Sequence, residues 1–347
     1  MGEHFRRDGY IDFLRGCAVL LVVVGHCIQY GQGADFARGA FFDDFAFRAI
    51  YSFHMPLFAL VSGWLLGASA GRHGLGADVM SRRCRSLLMP IVSFGVLSYA
   101  ALFLLGREDL GLAELLTHLV YQLWFLWAML LCSVVIAVIH TFLDDSLAAH
   151  AVVCALTLLA PARLNLSLYA FVYPFFAGGY LLESRWGKPL DGGGLSHRYL
   201  LARCMAVASL WVLGMSFWSR EAFIYTSGMS VLDGGAHQLA VDMYRCLMGA
   251  LGCLMFVDIT RLAYGAMLRF PRSRAFLIDI GRCSLGIYCF TSYLNPALGA
   301  FAASLGPNPL VVGAEVVAMV ALGLAATRVV SRSGLLSYFL LGGRGTR

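Results

Sequence analysis

The run Asp12-Phe13-Leu14-Arg15-Gly16-Cys17-Ala18-Val19-Leu20-Leu21-Val22-Val23-Val24-Gly25-His26-Cys27-Ile28-Gln29 decides the fold class. It is an apolar helix-length segment in which Asp12, Arg15 and His26 stand among aliphatic residues. A helix crossing about 30 Å of hydrocarbon needs about 20 residues. At about 100° per residue, Arg15 and His26 fall within about 20° of each other and Asp12 within about 40° of His26, so all three share one face. His26 then sits about 21 Å along the axis from Asp12. Ionisable groups within such a span are costly and face the bundle interior or a wet cavity.

The rest of the chain is built the same way. Of 347 residues, 59% are hydrophobic and 13% charged, about half the share usual in a soluble domain. Mean hydropathy is +0.74. So few charges cannot cover a soluble globule, a net charge of +6 is small for nucleic-acid binding, and the composition excludes disorder and a disulfide-stapled secreted fold. The ten cysteines form no C-x-x-C and lie mostly in apolar runs, where they read as packing residues. Arg6 and Arg7 precede the first apolar run, but Arg15 and His26 bracket it and no convincing cleavage site follows, so it reads as a retained span rather than a signal peptide.

Hydropathy predicts an all-α polytopic membrane protein of ten spans, at about 12–29, 47–68, 87–105, 122–142, 148–161, 168–184, 199–218, 241–262, 276–298 and 310–330. The segment 148–161 is short. With the N-terminus inside, the inner segments hold fifteen Lys or Arg, the Arg82, Arg83, Arg85 cluster among them, and the outer segments hold Arg38, Arg48, Arg107, Arg163 and Arg220. This bias predicts both termini in the cytoplasm, although the loop with Asp144 and Asp145, assigned inside, carries no basic residue. Gly192–Gly194 reads as a flexible inner connection and 228–235 as part of the longest outer loop. The expectation is one membrane domain over 1–347, with short cytoplasmic tails and no soluble domain.

Four Asp-x-x-Arg pairs, Asp12–Arg15, Asp242–Arg245, Asp258–Arg261 and Asp279–Arg282, have the spacing for charge compensation on one helix face. His54 enters the second span from the side on which the first ends, so it and His26 lie at similar depth on antiparallel neighbours and could meet. Imidazole suits proton transfer near neutral pH. No third ligand completes a zinc site, and no metal is predicted. Arg82, Arg83 and Arg85 read either as a topology anchor or as a phosphate clamp. Trp124, Phe125 and Trp127 read as an interfacial aromatic belt. Pro56, Pro90, Pro174 and Pro296 break spans where a cavity can re-satisfy the backbone.

Tyr10-Ile11-Asp12-Phe13-Leu14-Arg15-Gly16, running into Gly25-His26, resembles the opening signature of the acyltransferase family 3 integral-membrane proteins. Phe53-His54-Met55-Pro56-Leu57-Phe58 with Ser62-Gly63 is similar to that family's second-span motif. Arg82 to Pro90, Leu123-Trp124-Phe125-Leu126, Tyr173-Pro174-Phe175-Phe176 and Ser284-Leu285-Gly286-Ile287-Tyr288 follow in the family's order. Many relatives place a histidine shortly after that last tyrosine. Here Thr291 stands near that place, so no role transfers to it.

The resemblance implies a multi-pass O-acyltransferase of the bacterial inner membrane. Such a protein moves an acyl group, commonly acetyl from acetyl-CoA, to a hydroxyl of a cell-surface or exported carbohydrate. The partners implied are acyl-CoA, a glycan acceptor and the lipid bilayer, with no nucleic acid. His26 and Arg15 match the family's catalytic histidine and a functional arginine, with Asp12 and His54 beside them. Arg82, Arg83 and Arg85 match its other functional arginines and would bind the CoA phosphates. His54 would orient His26 or stabilise an oxyanion. Intramembrane charges and proline breaks alone would equally suit a secondary transporter of a sugar or small molecule.

Overall fold

The computed structural model describes residues 9–32, 39–104, 106, 111–161, 166–187, 190, 195–306 and 308–343. Arg6, Arg7, Arg38, Arg107, Arg163, Lys188, Gly192–Gly194, Arg344 and Arg347 lie outside the described residues.

All regular structure among the described residues is helical. The helices are α1 (Gly9–Gly31), α2 (Phe45–His73), α3 (Ala77–Leu104), α4 (Leu112–Tyr121), α5 (Trp124–Leu143), α6 (Leu147–Thr157) and α7 (Leu166–Ser184). There follow α8 (His197–Met215), α9 (Ile224–Ser227), α10 (Val231–Ala266), α11 (Pro271–Arg282), α12 (Ser284–Ser304), α13 (Pro309–Ser331) and α14 (Gly334–Leu341). Local chemistry sets several starts. The Asp44 side chain accepts from the Phe47 amide at 3.0 Å to begin α2, and Asn308 caps α13 ahead of Pro309.

Seven helices are long and apolar enough to cross a membrane: α1, α2, α3, α5, α8, α10 with the turn after it, and α13. Their outward faces stay apolar. Leu210, Val212 and Leu213 of α8 are exposed, as are Phe103 and Leu104 of α3 and Val317 of α13. Water would not tolerate such a belt, whereas lipid is matched to it. The segments predicted at 148–161, 168–184 and 276–298 differ from simple spans. α6 has 11 residues, α7 is diluted by Ser, Tyr, Pro and Gly, and the third is two helices broken at Cys283. Within the segment 228–235, predicted as outer loop, the chain turns helical from Val231, and non-helical Gly235 (φ +59°) separates that turn from the rest of α10.

The centre of the bundle is α2 against α7 and α1 against α11. Both contacts are backbone on backbone, at glycines. A Cβ on Gly63 would strike the Phe176 carbonyl, and one on Gly179 the Leu60 carbonyl. One on Gly16 would strike the Leu277 carbonyl, and one on Gly281 the Asp12 carbonyl. Small residues are how membrane helices approach this closely.

Candidate active site

Along α1, Arg15, Val19 and Val22 line one cavity and His26 lines another. Along α2 the first is lined by Leu65, Ser62, Val61, Phe58 and Met55, the second by Met55, His54, Ser52 and Tyr51. On α5, Met129, Leu126 and Phe125 face the first and Trp124 the second. Three helices therefore carry the lining from one cavity to the next, so the two are stacked end to end. The larger holds about 430 Å³ and the smaller about 30 Å³.

The large cavity is cationic. Arg15, Arg83 and Arg282 line it, and its lining among the described residues includes no carboxylate. Arg15 donates to Ser284 Oγ at 2.7 Å and lies 3.6 Å from Asp12. Arg282 reaches the same carboxylate at 3.4 Å. Arg83 donates to Ser62 Oγ at 2.7 Å and Ser133 Oγ at 3.2 Å, and stands over the Phe176 ring. Neutral hydroxyls thus hold Arg83 in place without cancelling its charge. Arg82 and Arg85 are exposed, Arg85 over Tyr338. The predicted cluster divides: Arg83 joins the cavity and its neighbours stay on the surface.

The small chamber holds both histidines. His26 Nδ1 is buried and has no hydrogen-bond partner. His54 Nδ1 donates to the Ile50 carbonyl at 2.8 Å. That bond leaves a lone pair on Nε2, so neutral His54 accepts and does not donate there. The two rings make no hydrogen bond to each other. Tyr51 packs edge-on against both, with centroids 6.5 Å from His26 and 4.6 Å from His54. Gly25 makes room for it, since a Cβ there would lie 2.8 Å from the Tyr51 ring. The Tyr51 hydroxyl donates to Gln29 Oε1 at 2.7 Å. His54 therefore makes no direct hydrogen bond to His26, and its Nε2 faces the chamber as an acceptor when the ring is neutral.

Ala222, Phe223, Ile224 and Tyr225 close this chamber. Buried Arg245 fastens them, donating to the carbonyls of Ala222 (3.0 Å), Gly228 (2.5 Å) and Glu221 (2.5 Å), to Ser227 Oγ, and to Asp242 at 2.8 Å. The Asp242–Arg245 pair therefore does more than neutralise a helix face. The predicted Asp258–Arg261 pair is present at 3.9 Å, and Asp258 also binds Arg203 at 2.5 Å. The Asp279–Arg282 pair is corrected. Asp279 pairs with Arg328, while Arg282 goes to Asp12. Of the residues read as an aromatic belt, Phe125 is buried and lines the large cavity, Trp124 lines the chamber, and Trp127 donates to the Leu119 carbonyl at 2.8 Å. Thr291 is buried and donates to the Ile287 carbonyl of its own helix at 2.7 Å.

Sequence reasoning missed Arg282, Ser284, Tyr51 and Met55 as lining residues, and Glu315. Glu315 of α13 is buried with both oxygens unpartnered, and Oε2 lies 3.6 Å from where a Gly31 Cβ would stand. Among the described residues no three His, Cys, Asp or Glu side chains are grouped to hold a metal.

A cationic cavity next to an imidazole chamber, inside a helical bundle with an apolar exterior, suits a group-transfer enzyme. The chain belongs to the acyltransferase 3 family and is an acyltransferase: the family's profile, described as an acyltransferase domain, matches residues 8–328. It is similar to two proteins called nodulation protein NolL. That of Sinorhizobium fredii (strain NBRC 101917 / NGR234) is 32% identical over 302 residues, covering 81% of this chain and 76% of the relative. That of Mesorhizobium japonicum (strain LMG 29417 / CECT 9101 / MAFF 303099) is 26% identical over 292 residues, covering 81% and 75%. No solved structure matches the chain significantly.

Proposed function

We propose that the protein moves an acyl group, acetyl in the first instance, from acyl-CoA to a hydroxyl of a cell-surface or exported carbohydrate. One observation carries this reading: the arginine-lined cavity and the chamber of His26 are stacked along the same three helices. Arg15 and His26 are eleven residues apart on α1, about 16 Å of helix rise. A long flexible donor with an anionic head and a reactive thioester at its far end suits that shape. Guanidinium groups at the wide end bind phosphate through charge-assisted hydrogen bonds. Arg82 and Arg85 raise the positive potential around Arg83 and steer the anion.

At the narrow end His26 accepts the proton of the acceptor hydroxyl as its oxygen attacks the thioester carbonyl. A C–O bond forms, the C–S bond breaks, and the departing sulfur takes the proton back from His26. His54, through Nε2, accepts a hydrogen bond from a neighbouring hydroxyl of the acceptor sugar and so helps to place the attacking one. Asp12 keeps Arg15 and Arg282 paired at the mouth of the cavity. In this reading the chain crosses a bacterial inner membrane ten times as one domain, with both ends and the arginine mouth in the cytoplasm, where acyl-CoA is made.

His26→Ala is expected to abolish transfer of label from acetyl-CoA to glycan in membranes, at unchanged protein level. Full transfer in that variant would remove His26 from the chemistry. A wild-type protein that moves glycan without labelling it would be a transporter instead.

A further inference from the structure

The two cavities meet at one side chain. Met55 is the residue common to both linings. It follows His54 on α2, and its neighbours His54 and Pro56 are buried while Met55 itself is half-buried. On α1 the lining passes from Val22 to His26 at this level, and on α5 from Phe125 to Trp124. Pro56 supplies no amide to the carbonyl of Ser52, which lines the chamber.

We propose that Met55 is the gate between the donor cavity and the histidine chamber, and that gate and chamber together set the size of acyl group transferred. The proposal rests on the donor reading above. A thioester arriving from the arginine end presents its acyl group first, because that group lies beyond the sulfur. The acyl group must pass Met55 before the carbonyl carbon reaches His26. The space beyond, about 30 Å³, is two or three times the roughly 10–15 Å³ that a single water needs. Space on that scale favours a short acyl group over a long one. Methionine suits a gate because it is unbranched, with three rotatable bonds, and refills a gap cheaply after moving. Other residues of the chamber wall are well packed: Met248 is fully buried, and Phe171 and Phe223 are buried.

The test uses the full-length protein in membranes that carry its own glycan acceptor, with labelled acetyl-, butyryl- and hexanoyl-CoA as donors and CoA itself as the binding probe. The wild type should prefer acetyl. Met55→Ala should raise butyryl transfer relative to acetyl by about tenfold, the scale on which one or two methylenes discriminate. Met55→Phe should cut acetyl transfer by about tenfold or more while CoA affinity stays unchanged, the signature of an interaction needed after binding. If Met55→Ala no longer binds CoA, Met55→Leu carries the test, since it conserves volume but loses a torsion. A gate requires slower transfer in that variant at unchanged CoA affinity. Variants that bind CoA and keep wild-type rates and donor preference overturn the gate and leave the donor reading intact. A wild type that transfers no label from any of the three donors overturns the donor reading, and the gate with it.

Discussion

Arg83 parts from Arg82 and Arg85 because of the helix period. Along α3 the buried residues include Val79, Ser86, Leu87, Pro90 and Ile91, and position 83 falls on that stripe at the i, i+3, i+4 and i+7 spacings. Measured from position 83, position 82 is turned about 100°, which leaves it at the stripe's edge about 40° from Ser86, and position 85 about 160°, on the far side. A residue that interrupts an apolar stripe is therefore a stronger candidate than its equally basic neighbours. Arg83→Ala is expected to raise the KM for acyl-CoA by about tenfold or more, since hydrogen bonds to charged groups are worth about 1.5–3 kcal/mol. Arg82→Ala and Arg85→Ala should each change it by only a few fold. Steady-state kinetics on the three variants checks this, and an unchanged KM in all three would return the whole cluster to topology anchoring.

Whole elements are positioned by two kinds of contact. The first is the glycine crossings, Gly63 with Gly179 and Gly16 with Gly281, which bring α2 onto α7 and α11 onto α1. Their opposing atoms are backbone carbonyls that cannot swing aside. Gly281→Val or Gly63→Val is thus expected to cost at least the roughly 1–3 kcal/mol of an overpacked core, read as lost protein or a lowered melting midpoint in detergent. The second is the Asp242–Arg245 clamp under the segment Arg220–Ala222 and α9. Removing only Arg245 strands a buried carboxylate, so Arg245→Met should destabilise by about 3–5 kcal/mol, and the double replacement with Asp242→Leu by less. Limited proteolysis near 220–230 should show the single variant opening first.

For the molecule as a whole, exposed Leu, Val and Phe side chains on the outer helices face lipid, while the charged groups pair across helices inside. Arg203 with Asp258 and Arg328 with Asp279 join helices distant in sequence. The orientation proposed above has a direct check. Single cysteines at Arg82 and Arg220, in a background without the ten native cysteines, should react with a membrane-impermeant maleimide from opposite sides. Labelling of both from the same side would refute it. Acyl-CoA binding should also weaken with rising salt, because its phosphates meet partly solvated guanidinium groups.

Sequence alone determined that this is a helical membrane protein and which residues are costly enough to matter. Both properties are sums over local stretches: a run of about 20 apolar residues, and an Asp12, Arg15 or His26 inside one. Motif order along the chain carries the resemblance to the family. Tertiary structure decided the partners. An i, i+3 spacing says that Asp279 and Arg282 share a helix face but not what that face meets, and Arg282 turned to Asp12, 270 positions away. The division of the arginine cluster, Tyr51 standing beside both histidines, and Met55 between two cavities all depend on how each helix is rotated against its neighbours. Backbone contacts at a few glycines set that rotation, and no local pattern encodes which glycine meets which carbonyl.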